Sequence, residues 1–516
     1  MQQSTATSAS SASVSSGNTG ASNDVVHDVV VDVIIPVHNA ACTVEEAVAS
    51  AMHQQQPAVH RYDHHGDATL HISIHVCCFD DGSTDDSWDI LCRLQRRYAD
   101  EDASSTACCI PSRLWIEREP TSRGAGYARN RAVELTKKHI EESRPSNETK
   151  HSFLCLLDAD DTMHPHRVAE QTAAMLRLSS ADQERTLLGC RIQRDPPDST
   201  WHYTHWANTI LLHDEQRLLL ERYRECTVLQ PTWFLTRSRF EALGGYIEEI
   251  TKDDDVSFQG ASVLRLIHPT FDTPATVRLA EDLRFFHSHL HANGRLQLVQ
   301  GEPLVTYRHQ PNDQSQSFRT SRKLLLHLRT LAFERCVLQQ GASPWKDGPF
   351  VVWGAGRDGK DFIKALSEEA RQRIYCCVDV DDKKIQQHCF YDNPQLKLHI
   401  PIVHFSLLAR TEADRERLLF SGHTTFGRID KSKPTEPCSH DNNADCTPSP
   451  KKQKVAASDA RTTVACSPRV AESIDLQLLP QLPVVVLVAM YRTQGALESN
   501  VRAIGREEGK DLWHFS

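Results

Sequence analysis

The sequence predicts an α/β protein built on a mostly parallel sheet, with a second, smaller α/β unit behind it. Three observations carry that expectation. The first apolar segment, Val29 to Val37 (VVVDVIIPV), is a near-continuous β-branched run; such a run marks a strand buried on both faces rather than a one-sided, alternating one. Runs of strand length then alternate with segments of helical period to about residue 160, the signature of strand–helix–strand units. The alternation starts afresh at Phe350, after a long helical stretch from Ser321 to Gln340. A chain of 516 residues has room for two or three domains at about 100–200 residues each.

The elements follow in order. Residues 1–27 are rich in Ser, Thr, Ala, Gly and Asn and cannot bury apolar surface, so a disordered tail is expected. The first strand ends at Pro36 and the polar His38-Asn39. Thr43-Val44-Glu45-Glu46 reads as a capping box, and Val44, Ala47, Val48, Ala51 and Met52 form one helical face. His71 to Phe79 is a second strand, Asp80-Asp81-Gly82-Ser83-Thr84 a turn, and Trp88, Leu91 and Cys92 begin a second helix. Leu114 to Glu117 is a short strand, Gly124 to Lys138 a helix, and Phe153 to Leu157 a strand closed by Asp158. Beyond 186, Leu187 to Arg191 and Gln230 to Leu235 read as strands and Glu281 to His291 as a helix, with Thr251 to Arg278 a surface insertion. The expected organisation is a first domain over 28–320, a helical connector over 321–347, and a Rossmann-like domain over 348–516. A disordered, Pro/Ser/Asp/Lys-rich insertion is expected in it at 412–469.

Composition excludes some classes. A formal net charge of -10 is unsuited to nucleic acid or an acidic membrane. The 16 cysteines include adjacent pairs (Cys77-Cys78, Cys108-Cys109, Cys376-Cys377). Neighbours on a strand point to opposite faces and cannot bridge each other, so they are read as reduced core thiols in a reducing compartment. The N-terminus lacks a basic segment followed by an apolar one, and no apolar run approaches the ~20 residues of a membrane span. A cytoplasmic protein is expected; Lys451-Lys452-Gln453-Lys454 reads as a nuclear-import signal or as a solvated charge run.

The chemistry gathers at strand ends, where open α/β sheets bind ligands. Pro36-Val37-His38-Asn39, Asp80-Asp81-Gly82-Ser83 and Asp158-Ala159-Asp160-Asp161 all fall there. Paired carboxylates at neighbouring strand ends repel one another unless a cation sits between them. A divalent metal holding a diphosphate answers that need, because hard cations take carboxylate and phosphate oxygens.

Strand-PVHNA, FDDGSTDDS, RGAGYARNRA and LLDADD, in this order and spacing, resemble the inverting family 2 glycosyltransferases of the GT-A fold. The resemblance implies a UDP-sugar donor and Mn²⁺ or Mg²⁺. It implies transfer of a hexose or N-acetylhexosamine, GlcNAc favoured, with inversion, to a glycan, protein or small-molecule acceptor. Pro36, Val37, Asp80, Arg129 and Asp158 would bind the nucleotide sugar, Asp160 the metal, and Asp282 would be the base. Asp161, Glu281 and, in a Tyr307-Arg308-His309 run that lacks the family's spacer, His309 are further candidates.

Other readings stand beside these. Asp81 reads equally as a ligand or as a cap for the helix beginning near Thr84. Gly124 and Gly126 read as a turn or a phosphate cradle, and Glu281-Asp282 as base or as helix N-terminal acids. Trp201, Trp206 and Trp233 read as core or as a stacking surface for an acceptor sugar. Gly354-x-Gly356-x-x-Gly359 follows a strand, opens a helix and precedes Asp379 by about 20 residues, the fingerprint of an NAD-type site; the same glycines also serve a tight turn in a ligand-free module. A catalytically silent GT-A scaffold and a bifunctional protein with an NAD-type ligand are therefore the two alternatives to a transferase.

Overall fold

The computed structural model describes residues 26–56, 69–100, 109–140, 150–210, 215–248, 257–258, 261–262, 280–310, 320, 322–420, 465–488 and 495–515. Nearly all of the expected tail, most of Thr251 to Arg278, and residues 421–464 of the expected insertion lie outside the described residues.

The chain lays down β1 (Val26–Val37), β2 (Thr69–Asp81), β3 (Ser112–Glu119) and β4 (Lys150–Leu156). After them come β5 (Thr162–Met163), β6 (Thr186–Cys190), β7 (Ile192–Asp195), β8 (Phe234–Thr236), a small hairpin β9 (Ser257–Phe258) and β10 (Ala261–Ser262), β11 (Arg295–Val299) and β12 (Val305–Arg308). Seven of these form one sheet in the order β11-β6-β8-β4-β1-β2-β3. Strands β4, β1, β2 and β3 run parallel, and β8 runs antiparallel between β4 and β6. The order reverses between β1 and β4, and a ligand crevice forms at such a reversal. A second sheet, β5-β12-β7, follows directly on the Asp158–Asp161 turn.

Helices cover both faces of the large sheet, which is why β1 is so apolar from Val29 to Val37. Val31, Val33, Ile35 and Val37 pack with Val44, Val48, Leu91 and Leu94 on one face. Ile34 packs with Tyr127, Ala128, Ala132 and Val133 on the other. The one charged residue in that run, Asp32, is fully buried, and His75 Nδ1 lies 2.9 Å and Arg237 Nη2 2.5 Å from its oxygens. Removing one partner from such a buried pair costs about 3–5 kcal/mol, so this network is a structural lock at the sheet's centre.

Two local expectations are corrected. Thr43 precedes the helix Val44–Met52, but its side chain accepts no capping bond and its hydroxyl turns back to Ala40 O. Gln230 to Leu235 is not one strand: Pro231 sits in a 3-10 turn over Gln230–Thr232, and only the residues from Phe234 pair in the sheet. The expected helix at Glu281–His291 is observed, and Cys77, Cys78, Cys376 and Cys377 are buried.

The connector is the helix Arg322–Phe333 with a π-helical turn over Glu334–Gln339. Beyond it lie β13 (Phe350–Trp353), β14 (Ile374–Asp379), β15 (Phe390–Asn393), β16 (Leu398–His404), β17 (Val484–Val486) and β18 (Leu512–His514). They form a six-stranded sheet in the order β15-β16-β14-β13-β17-β18, parallel except at β15. Of the segment 412–469, residues Glu412–Phe420 form a helix. The two sheets meet through an aromatic cluster. The Tyr223 ring stacks on Phe515 at 5.8 Å, meets Phe333 and Trp513 edge-on at 5.3 Å, and lies 6.2 Å from His287 on the helix Glu281–His291. Arg217 and Glu508 close the junction with an ion pair at 2.6 Å.

Candidate functional site

The strand ends of β1, β2 and β4 converge as the sequence predicts. The loops after β1 and β2 are clipped together: Asn39 N–H donates to Ser83 Oγ, Ala40 N–H to Ser87 Oγ, and His38 Nδ1 meets Asp81 O at 2.8 Å. Pro36 and Val37 end β1, paired with Phe79 and Asp80. The Val37 side chain lies wholly in the core.

Asp80 is fully buried at the end of β2. Ser83 N–H donates to its Oδ1, and Arg118 Nε lies 3.0 Å from Oδ2. That approach is an ion pair without hydrogen-bond alignment, since Oδ2 has no bonding partner. Asp81 does not cap the helix after β2. Its carboxylate accepts Ser122 Oγ–H, Arg123 N–H and Gly124 N–H at 2.7–2.8 Å, pinning the loop that opens the helix Ala125–Ile140. The helix after β2 starts instead at Ser87, whose N–H donates to Asp85. Gly124, at φ +104°, allows that loop its turn. Gly126 makes room for a neighbour instead, since a Cβ there would lie 3.1 Å from Glu281 Cγ.

Asp158, Asp160 and Asp161 offer carboxylate oxygens all within 4.8 Å of one another. Gln310 Nε2–H donates to Asp160 Oδ2, Arg308 N–H donates to Asp161 Oδ1, and Asp161 Oδ2 is buried with no partner. Burial, and next the Asp158 charge, raises the Asp160 carboxyl above its usual range. Burial and the charges of Asp160 and Asp158 raise Asp161 further. Three close acids with one orphaned oxygen suit a hard divalent cation.

Arg129 joins this cluster to the far side of the site. Its Nη2–H donates to Asp158 Oδ1 at 2.7 Å and to Gln230 Oε1 at 3.1 Å, and its Nη1–H donates to Glu281 Oε1 at 2.9 Å. Burial opposes its charge, but Asp158, Tyr246 and Glu281 outweigh that and hold it charged. Both terminal nitrogens of the guanidinium are thus engaged by protein groups, while its buried Nε has no bonding partner among the described residues. Next to Glu281, Asp282 is half-buried in the first turn of its helix and accepts Leu283 N–H at 2.7 Å. Burial, then the Glu281 charge, pushes its carboxyl up to about 7. A carboxyl tuned to that value exchanges protons near neutral pH, as a general base requires. His309 gives its N–H to Asp195 O; the residues that reach the acid cluster from this strand end are Arg308 and Gln310.

Residues 32–244 match the family model for glycosyl transferase family 2. That segment is similar to the family, and its fold is GT-A. Among solved structures, it is similar to TarS residues 1–349 of S. aureus in complex with UDP-GlcNAc, at 14% identity over 59% of this chain and 66% of that one, with a TM-score of 0.34. It is also similar to the mannosyltransferase PcManGT from Pyrobaculum calidifontis in complex with GDP-Man and Mn²⁺, at 16% identity over 59% and 63%, TM-score 0.34. The chain spans just under two thirds of each of these two structures.

The candidate site includes residues that motif reading passed over. Arg118 faces Asp80 because β3 pairs β2 in that register, which no local pattern shows. Gln230 and Tyr246 frame Arg129, and Asn130 holds Tyr246 through both its N–H and C=O. Of the tryptophans, Trp206 and Trp233 are buried and Trp201 is 59% exposed.

At the mouth of the second sheet, Gly354 sits at φ +117°, and a Cβ on Gly359 would lie 1.7 Å from Gly354 O. Both glycines are explained by a tight turn and close helix packing; around Gly356 there is open space. Asp379, the expected ribose acid, is already engaged. It accepts Ala355, Val380 and Asp381 N–H groups and pairs with Lys384 Nζ at 2.8 Å.

Proposed function

We propose that the protein transfers a hexose or N-acetylhexosamine, with GlcNAc favoured, from a UDP-sugar to an acceptor hydroxyl, with metal assistance and inversion at the anomeric carbon. The observation that supports this most is the single hydrogen-bonded frame from Asp158 through Arg129 to Glu281, which sets the three-aspartate cluster and Asp282 around one crevice. Asp160, with Asp158 and Asp161 beside it, would hold Mn²⁺ or Mg²⁺, which neutralises the charge of a departing diphosphate. Asp80 and Arg118, paired at the end of β2, would meet the nucleoside. Asp282 takes the proton of the acceptor hydroxyl as that oxygen forms its bond to the anomeric carbon. The bond to the diphosphate breaks on the opposite face, which inverts the centre. Glu281, tied to Arg129, keeps the first turn of its helix in place while Asp282 cycles. The UDP assignment rests on the family resemblance. A cytoplasmic setting is in keeping with the buried free thiols.

The test is nucleotide release from a panel of UDP- and GDP-sugars, with Mn²⁺ or with EDTA, by wild type and Asp160→Ala. Metal-dependent release from one UDP-sugar, reduced at least about 10³-fold in the variant, is the expected result. No turnover and no binding of any donor in Mn²⁺ would return the silent-scaffold reading.

A further inference from the structure

The second sheet's domain carries a cavity of about 630 Å³ far along the chain from the sugar-transfer residues. That volume lies within the ~300–1,000 Å³ range of small-molecule sites. Its polar lining is strongly cationic: Arg410, Arg415, Arg506 and Lys510, against Asp511 as the one acid. The wall is built from the connector's end at Ser343-Pro344, the start of the helix region at 410–415, the Gln477–Gln481 turn and the loop that leads into β18.

The charges do not cancel. Asp511 is 8% exposed, and its Oδ2 is shared between Arg410 Nη2 at 3.0 Å and Arg506 Nη1 at 3.2 Å, while its Oδ1 accepts Glu507 N–H. One carboxylate therefore serves two guanidiniums. Lys510 pairs at 3.1 Å with Glu507, both 70% exposed, a contact that solvent leaves weak. Arg415 gives its Nε–H to Ala409 O, a neutral partner. The Arg506 side chain is only 1% exposed, and its Nε has no bonding partner among the described residues. A buried guanidinium donor left unmatched is destabilising, unless an acceptor arrives.

We propose that this cavity is a binding site for a small phosphorylated molecule, a mono- or diphosphate held by Arg506 with Arg410, Arg415 and Lys510. Guanidinium groups suit this ligand because their planar donors match phosphate oxygens in pairs. The site is separate from the Asp158–Asp161 cluster and needs no metal, so it stands whether or not the donor assignment above is correct.

Calorimetric titration of the full chain in EDTA, at constant ionic strength, would use inorganic phosphate, pyrophosphate and UDP in turn. At least one should bind with one-to-one stoichiometry, and which binds tightest separates a bare phosphate from a diphosphate or a nucleotide. Binding should weaken tenfold or more in Arg410→Gln/Arg415→Gln, and likewise in Lys510→Gln, whose exposed side chain leaves folding intact. It should be unchanged in Asp160→Ala. The proposal is overturned if no probe binds wild type, if the cavity variants bind as tightly as wild type, or if Asp160→Ala abolishes binding.

Discussion

The two sheets of this protein pose the same problem and solve it differently. In each, a central strand (β1 or β13) lies between a parallel neighbour bearing an acid at its end and the strand where the order reverses. At β2 that acid is Asp80, whose Oδ2 meets Arg118 without a bond. Beside it, the Asp158–Asp161 cluster keeps an orphaned oxygen and raised carboxyls. At β14 the acid is Asp379, which Lys384 and three backbone amides satisfy completely. The same local strand arrangement therefore gives one crevice with unmatched polar groups and another whose groups are matched internally. Topology marks where a ligand could sit; unmatched charge narrows the choice.

Asp282→Asn breaks the first crevice most severely among changes outside the metal cluster. It keeps shape and removes the proposed base, so kcat should fall about 10²–10⁴-fold. Wild-type activity should rise tenfold per pH unit up to about 7 and level off above it, because only the deprotonated Asp282 accepts a proton and its carboxyl is pushed up to about 7. The groups facing it, Glu281, Arg129, Glu225 and Cys226, would modulate that midpoint. A flat profile between pH 5 and 8 would assign the base elsewhere.

Arg129→Lys sharpens the comparison. Lysine is a point charge and cannot bond Asp158, Gln230 and Glu281 together, so kcat should drop about 10²-fold with donor KM little changed. A loss confined to KM would make Arg129 a nucleotide contact instead. The smallest effects belong to the second crevice. Gly359→Ala should lower stability by about 1–3 kcal/mol through overpacking against Gly354 O, and Asp379→Asn by about 1–2 kcal/mol. Neither should alter sugar transfer measured well below the melting temperature. A specific loss of activity in Asp379→Asn would show that the second crevice takes part.

Much of this was legible before the structure because the informative residues sit at strand ends, and strand ends follow from local apolar period. Asp80, Asp158, Asp160 and the helix that carries Asp282 were placed that way. What the sequence hid depends on distant partners. Asp81 holds amides 42 and 43 residues away; Arg118 meets Asp80 only through sheet register; Arg129 finds Glu281 across 152 positions. Local patterns also misled. The Thr43 hydroxyl found Ala40 O before it could cap its helix, and Pro231 imposed a 3-10 turn on a run read as a strand.

The 152-residue reach of Arg129 has a consequence for how the enzyme comes into being. On a ribosome adding about 5–20 residues per second, Asp158 follows Arg129 within seconds, being 29 residues behind it. Glu281 arrives roughly 8–30 s after Arg129 at the same pace. For that interval the three clustered aspartates have been made but the helix that carries Asp282 has not. On the function proposed above, the chain cannot turn over a sugar nucleotide until that helix has been added.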